Sequence, residues 1–427
     1  MKKSIPLIDP VRHYLTLIKG SGAILVICLA TTVSMIGHGI IAPVLPLFAK
    51  EFGVRTAAIG FVVATFGLSR LFMNLPSGMI AERYGVKLLM GIGLMLSALG
   101  LFFTGAANSI LEMAAWRFVS GAGSAMFFTG AVSFIAFISS PQNRGRLMSL
   151  QIGSLLLGTD IGPIIGGVTA DHLGFRWPFY IAGIITAVAA VGLLIKLREV
   201  PDGDESSKHQ QPQTRVQGRN KRDMRTIRDL LANPTFLMLS IFTLLVFFTR
   251  SGSRQTLMPL LAVDKVGMSA TQLGFLFFLM TTMNLILAIL AGALTDRFGR
   301  KAVILPGAFL TMMGLSFFAW TTTMPAFFGA AFLLGLGTGV IGPTPAAYAG
   351  DMAPPGKTGT TMGLYRTFGD LGLIIGPLLL GWISDAFDER FGNALGESVA
   401  MEFNAILLLA VALLLSWVGI ETAGRRR

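Results

Sequence analysis

A short basic loop occurs twice in this chain, and the two copies stand 214 residues apart in a sequence of 427. The first reads Gly78-Met-Ile-Ala-Glu82-Arg83-Tyr-Gly85-Val-Lys87, the second Gly292-Ala-Leu-Thr-Asp296-Arg297-Phe-Gly299-Arg300-Lys301. Glycine, acid, arginine, glycine and lysine recur in register. An offset of half the length makes the chain a tandem of two similar halves, so a fold that suits one half must suit the other. Apolar runs of helical length flank each copy. Each half therefore reads as a bundle of membrane-spanning helices.

Composition decides between a buried core and a bilayer. Hydrophobic residues make up 53% of the chain and charged residues 13%, with a mean hydropathy of +0.69. That leaves too little polar surface for a soluble protein of this length. Runs of about 20 apolar residues recur, each long enough to cross a hydrocarbon layer about 30 Å thick. They place spans at 22–47, 57–79, 88–106, 110–137, 147–169, 177–196, 235–262, 270–293, 302–321, 324–350, 359–383 and 402–420. The predicted class is an all-α polytopic membrane protein with twelve transmembrane helices in two pseudo-symmetric six-helix bundles. Its parts are a polar segment at 1–21, bundles at 22–196 and 235–420, a linker at 197–234 and a basic tail at 421–427. The linker carries Asp202, Asp204 and Glu205 and then a basic stretch at 208–228. It lacks the apolar mass of a folded domain, although a short amphipathic helix fits near 224–231. The polar lead-in and the lack of a small-residue cleavage site read the first apolar run as a span, not a removed signal.

With the amino end inside, the cytoplasmic segments hold 24 of the 34 lysines and arginines. The outside loops hold Lys50, Arg55, Arg176, Lys265 and Arg390. The positive-inside rule selects this orientation. The formal charge of +12 then belongs to loops facing anionic lipid headgroups and not to a nucleic-acid surface. Cys28 is the only cysteine, which excludes an intrachain disulfide and a multi-cysteine metal site. No Walker-type phosphate loop and no nucleophile–base spacing stands out, so the expectation is no catalysis, no metal and no cofactor.

Ionisable groups lie deep in several spans: His38, Arg70, Arg117, Asp160, Arg250, Arg254, Arg366 and Asp370. Charge inside a bilayer is costly unless it meets water, an opposite charge or a ligand, which makes these the candidate cavity and coupling residues. His38 reads either as a hydrogen-bonded packing group or as a proton or substrate contact. Arg70 is close enough to Gly78 to snorkel toward the cytoplasm. Arg250 and Arg254 are four apart and share a helix face. Arg366 and Asp370 have the same spacing and can satisfy each other. Five arginines against two aspartates leave an excess that an anionic or zwitterionic substrate would balance. The other reading has the span-seven arginines reaching the outer headgroups.

Spans five and eleven share a small-residue signature. The first is Gly153, Gly158, Gly162-Pro163, Gly166 and Gly167; the second is Gly372, Gly376-Pro377 and Gly381. Such a face packs closely against another helix, and the Gly-Pro step should weaken its own helix. Asp171 and Asp385 repeat as well, whereas Asp160 corresponds to Ile374.

Together these features resemble the major facilitator superfamily over nearly the whole chain. The loops at 78–87 and 292–301 resemble its cytoplasmic motif between helices two and three and the repeat of that motif between eight and nine. Glu82 replaces the usual aspartate and Val86 the usual basic residue. Arg117 with Gly121 matches the helix-four arginine motif linked to proton coupling, and 153–167 resembles the helix-five antiporter motif. His38 falls near where many exporters carry an acid. The resemblance implies alternating access driven by a proton gradient, in a monomeric multi-pass protein of the bacterial inner-membrane kind with both termini cytoplasmic. It implies an antiporter that exports a small amphipathic drug or metabolite; such exporters often handle lipophilic cations, whereas the arginine excess adds an anion to the candidates. The alternatives are an uptake symporter or uniporter for a small organic anion, and a non-transporting receptor or scaffold. The paired loops would act as a latch, with Glu82 and Asp296 bonding across helix ends.

Overall fold

The computed structural model describes residues 22–139, 143–197, 216–391 and 395–421, without the side chains at 75, 144–145, 216–223, 293 and 296. The lead-in 1–21, linker residues 198–215, the tail beyond Glu421 and the Asp296 carboxylate lie outside the described residues.

The first half comprises α1 (Gly22–Ile41), α2 (Leu45–Lys50), α3 (Thr56–Tyr84), α4 (Val86–Ala106), α5 (Ile110–Ile138), α6 (Arg144–Leu173) and α7 (Trp177–Lys196). A linker helix, α8 (Val216–Ala232), extends the short helix expected there. The second half comprises α9 (Pro234–Phe248), a π-helical stretch (Thr249–Leu257), α10 (Met258–Val266), α11 (Ala270–Phe298), α12 (Arg300–Trp320), α13 (Met324–Ile341), α14 (Thr344–Asp351), α15 (Thr358–Phe391) and α16 (Gly396–Val418). Twelve helical stretches among the described residues are long and apolar enough to cross a membrane, and they form two pseudo-symmetric bundles of six. Large apolar side chains such as Val188, Ile195, Ile289 and Trp417 point outward, as a lipid-facing surface requires.

Local chemistry explains the breaks. Span one does not run unbroken to residue 47: α1 stops at Ile41, and Pro43, which has no N–H to donate, sits in the turn before α2. Pro46 is tolerated because it falls in the first turn of α2. Gly85 and Gly299 each join two helices in a single step, at φ of +87° and +100°. A residue with a Cβ would be strained there, which accounts for one glycine in each copy of the basic loop. Arg83 lies over Tyr84 in one copy and Arg297 over Phe298 in the other. The second copy is also clamped within its own bundle. Glu421 accepts from the backbone N–H of Arg300 (2.9 Å) and Lys301 (3.0 Å), Arg300 pairs with Asp351 (3.2 Å), and Lys301 donates to the Gly419 carbonyl (2.7 Å).

Glycine sets the seam between helices. A side chain at Gly158, Gly162 or Gly166 of α6 would collide with the α1 backbone at Thr32, Gly39 or Ile40. Gly372 and Gly376 of α15 lie likewise against Leu244 and Phe248 of α9. Gly167 and Gly381 turn to the other bundle, against Ala270 of α11 and Ala57 of α3. Both helices run through their prolines without a break. Pro163 and Pro377 instead present their carbonyls to Gly274 of α11 and Gly60 of α3, so close packing from the opposite bundle supports the step expected to be weak.

The two ends of the seam differ. At one end the Asp171 carboxylate accepts from the N–H groups of Ala270 (2.9 Å) and Thr271 (2.8 Å) at the start of α11. Asp385 does the same to Thr56 and Ala57 at the start of α3, both at 3.0 Å. Lys50 meets Asp264 at 2.6 Å and Arg55 meets Glu389 on the same face. All four ties cross between bundles. At the other end Gly78, Gly153, Gly292 and Gly363 have nothing among the described residues within 4 Å of where a Cβ would stand, and Met79 is 66% exposed. Among the described residues, the bundles are stapled at the Asp171 end and leave open space beside the glycines of the Glu82 end.

Candidate functional site

Between the bundles lies a cavity of about 300 Å³, joined through Arg70, Phe128, Arg366 and Asp370 to a second chamber of about 340 Å³. Of the eight ionisable candidates, the cavity gathers His38, Arg70, Arg117, Arg250, Arg366 and Asp370. Asp160 and Arg254 do not line it.

A stripe of α3, Phe66-Arg70-Asn74, forms one wall; the spacing of four puts all three side chains on one helix face. Phe66 is the hub. Its ring meets His38 edge-on at 5.4 Å, Arg117 at 4.8 Å and Arg70 at 6.0 Å. His38 Nδ1 lies 2.9 Å from the Ser34 carbonyl. A carbonyl only accepts, so Nδ1 carries the proton, and in the neutral ring Nε2 is a bare acceptor. Nε2 has no partner among the described residues.

Asp370 ties α15 to α3. It is 3% exposed, its Oδ2 accepts from Asn74 Nδ2 at 2.8 Å, and Arg70 Nε stands 4.0 Å from Oδ1. Arg366 lies in the field of Asp370 without an ion pair within 4.0 Å, a looser form of the pairing that their spacing allows. The partners of Asp370 come from the other bundle because α3 packs directly along α15. Asp160 forms a second crossing one helical turn out of repeat register, beside Thr281 of α11 and within reach of Arg254.

Arg250 and Arg254 stand in a π-helical stretch and not in the α-helix expected, and only Arg250 lines the cavity. Arg250 is exposed toward the cavity, while Arg254 lies over Phe277. Side chains hold the wide turn open. Asn404 of α16 donates to Ser253 (2.7 Å) and Thr249 (3.0 Å), and Thr256 donates to the Ser251 carbonyl five residues back (2.8 Å).

Sequence reasoning missed Phe66, Asn74 and Ser124. The first two were discoverable as neighbours of Arg70 at intervals of four. Ser124, two turns beyond Arg117 on α5, carries no signal of its own.

A cavity lined by ionisable groups between two six-helix membrane bundles defines a secondary active transporter of small molecules, not an enzyme. The chain belongs to the Major Facilitator Superfamily, whose sequence profile matches residues 27–252 and 243–426. It is 26% identical to an uncharacterized MFS-type transporter of Methanocaldococcus jannaschii, over 93% of this chain and 98% of that one. It is also 26% identical to Multidrug resistance protein 2 of Bacillus subtilis, over 83% and 86%. Its fold matches the crystal structure of a bacterial homolog of the human lysosomal transporter Spinster, inward-facing and unoccupied, with a TM-score of 0.77, 18% identity, and coverage of 93% and 96%.

Proposed function

We propose that this protein is a proton-coupled antiporter that exports a small amphipathic drug or metabolite by alternating access. The export direction follows the relative named for multidrug resistance. The basic loops at 83–87 and 297–301 put the Glu82 end in the cytoplasm, by the positive-inside rule, with both termini on that side and the loops against anionic headgroups. The cavity is then open to the compartment from which an exporter loads. The paired loops close the cytoplasmic end as a latch once the stapled end releases.

The observation that carries the reading is Asp370, a buried carboxylate whose contacts cross from one bundle to the other. Ionised, it holds Arg70 and Asn74 and so keeps α3 on α15. A proton on it removes the attraction to Arg70, and breaking a buried pair costs about 3–5 kcal/mol, enough to move a two-state equilibrium. Proton binding and bundle movement thus act through one contact. Arg70 stays charged throughout.

The test is substrate-induced proton movement in proteoliposomes under an imposed pH gradient, with the Asp370→Asn variant alongside. Outward substrate flux against inward proton flux is expected, and Asp370→Asn should exchange substrate while losing coupling. Flux of both in the same direction would establish an uptake symporter instead. No flux of any compound in a broad panel would favour the receptor or scaffold reading.

A further inference from the structure

The intramembrane arginines are compensated unequally. Arg70 and Arg366 share the field of Asp370, Arg254 has Asp160 within reach, and Arg250 is exposed to the cavity. Arg117 has none of these. It is 7% exposed, and no carboxylate among the described residues lies within 4 Å of it. Its Nε and Nη1 have no hydrogen-bond partner among the described residues. The ring face of Phe66, 4.8 Å from the guanidinium carbon, offsets only part of the cost of burying that charge.

Three other cavity atoms have no hydrogen-bond partner among the described residues: Ser124 Oγ, His38 Nε2 and Arg70 Nε, the last facing Asp370 at 4.0 Å. Ser124 follows Arg117 by two helical turns and so lies on the same face of α5. His38 and Arg117 both pack on the Phe66 ring. The wall thus offers unmatched donors from Arg117 and Ser124 and one unmatched acceptor, whereas an anion entering at Arg70 must compete with Asp370.

We propose that Arg117, with Ser124 and His38, forms the headgroup subsite for the transported molecule, and that this molecule is an amphipathic organic anion of carboxylate type. The anionic group bonds to the Arg117 guanidinium and the Ser124 hydroxyl. A donor beside it bonds to His38 Nε2. The apolar body lies along Phe66, Met35 and Leu155, which line the same space. The assignment rests on the transporter reading above and names its substrate class. It places the anion on the first bundle rather than on the paired arginines of the π-helix.

The test uses purified protein in lipid nanodiscs and matched trios that differ only in headgroup: 4-phenylbutyrate, 4-phenylbutyramide and 4-phenylbutylamine, with naphthyl and octyl counterparts. Calorimetric binding should favour the carboxylate by about tenfold over the amide and the amine in at least one trio, as a charge-assisted contact predicts. That preference should fall to within about twofold in Arg117→Gln and persist in Arg250→Gln. Arg117→Lys, which keeps the charge, should retain part of it, and separates loss of a ligand from loss of fold. A carboxylate preference intact in Arg117→Gln, or absent from every wild-type trio, overturns the assignment. So does full displacement of the carboxylate by an equal concentration of sulfate, which marks an inorganic-anion site. Flux is scored separately: carboxylate preference without pH-driven export leaves the subsite standing and removes the exporter reading, and export without that preference does the reverse.

Discussion

At one end of the seam Asp171 and Asp385 each reach across to the first turn of a helix in the other bundle; at the other, the loop glycines Gly78 and Gly292 face open space among the described residues. Both pairs obey the same repeat. They differ in what they bond to. The two aspartates accept from backbone N–H groups at helix starts, where the donors are unsatisfied and the helix dipole favours negative charge. Such a tie needs no partner side chain, so it survives change in the sequence it grips. The basic loops offer side-chain charge, and charge can find solvent, lipid or a neighbour instead. One end therefore closes by geometry and the other by choice among partners. Capping ties of about 1 kcal/mol each and surface ion pairs of about 0–1 kcal/mol give the closed end only a few kcal/mol, which leaves the opposite state within reach.

The comparison can be broken at several points. Gly162→Leu should have the largest effect, because the seam serves both ends: its Cβ would stand 2.6 Å from Gly39 Cα. We expect a loss of about 3 kcal/mol or more and little folded protein, read as membrane abundance and melting temperature. Normal abundance with normal transport would show that the seam tolerates separation. Next comes the double variant Asp171→Ala with Asp385→Ala. It should release the stapled end by about 2 kcal/mol, roughly a thirtyfold shift. A cysteine placed at Leu45, on the cavity wall, should become reactive to an impermeant maleimide added from the Asp171 face. Unchanged labelling would mean that these carboxylates do not hold the end shut.

Glu82→Ala and Asp296→Ala should act in the opposite sense and more weakly, by about 1 kcal/mol, raising cavity labelling from the Glu82 face. Equal labelling and transport in both variants would remove the latch. Lys50→Ala should move either readout least, by about 0.5 kcal/mol, because the Lys50–Asp264 pair is partly exposed and screened by salt. A larger effect there than at Asp171 would invert the ranking of backbone ties over ion pairs.

Much of the fold was legible because membrane burial and duplication both leave strong marks in sequence. Twelve apolar runs, the small-residue face of α6 and α15, and Gly85 and Gly299 of the basic loops follow from simple physical needs. The site was legible only in its charges. Arg366-Asp370 shows why: a spacing of four says that two side chains can meet, but the tertiary packing of α3 on α15 supplied Asp370 with Arg70 and Asn74 first. Arg250-Arg254 shows a different gap: spacing does not say which of two neighbouring side chains reaches the cavity, and the π-helical turn that carries them is tied to Asn404, some 150 residues away. Asp171 and Asp385 were visible as a repeat, yet their partners are backbone groups, which no residue type announces.

The glycine–proline contacts also have a mechanical consequence. Gly60 meets the Pro377 carbonyl four residues into α3, about 6 Å from its Thr56 end, and Gly274 meets Pro163 at the matching place on α11. Beyond Gly60, α3 continues for about 36 Å to Tyr84. Rotation of the bundles about these bare backbone contacts is rotation about a fulcrum with unequal arms. An opening of about 1 Å at the stapled end would swing the basic loops through about 6 Å, so spin-label distances between Tyr84 and Lys357 should change several-fold more than those between Arg55 and Glu389. On such a lever, a tie of modest strength on the short arm sets the width of the mouth on the long one.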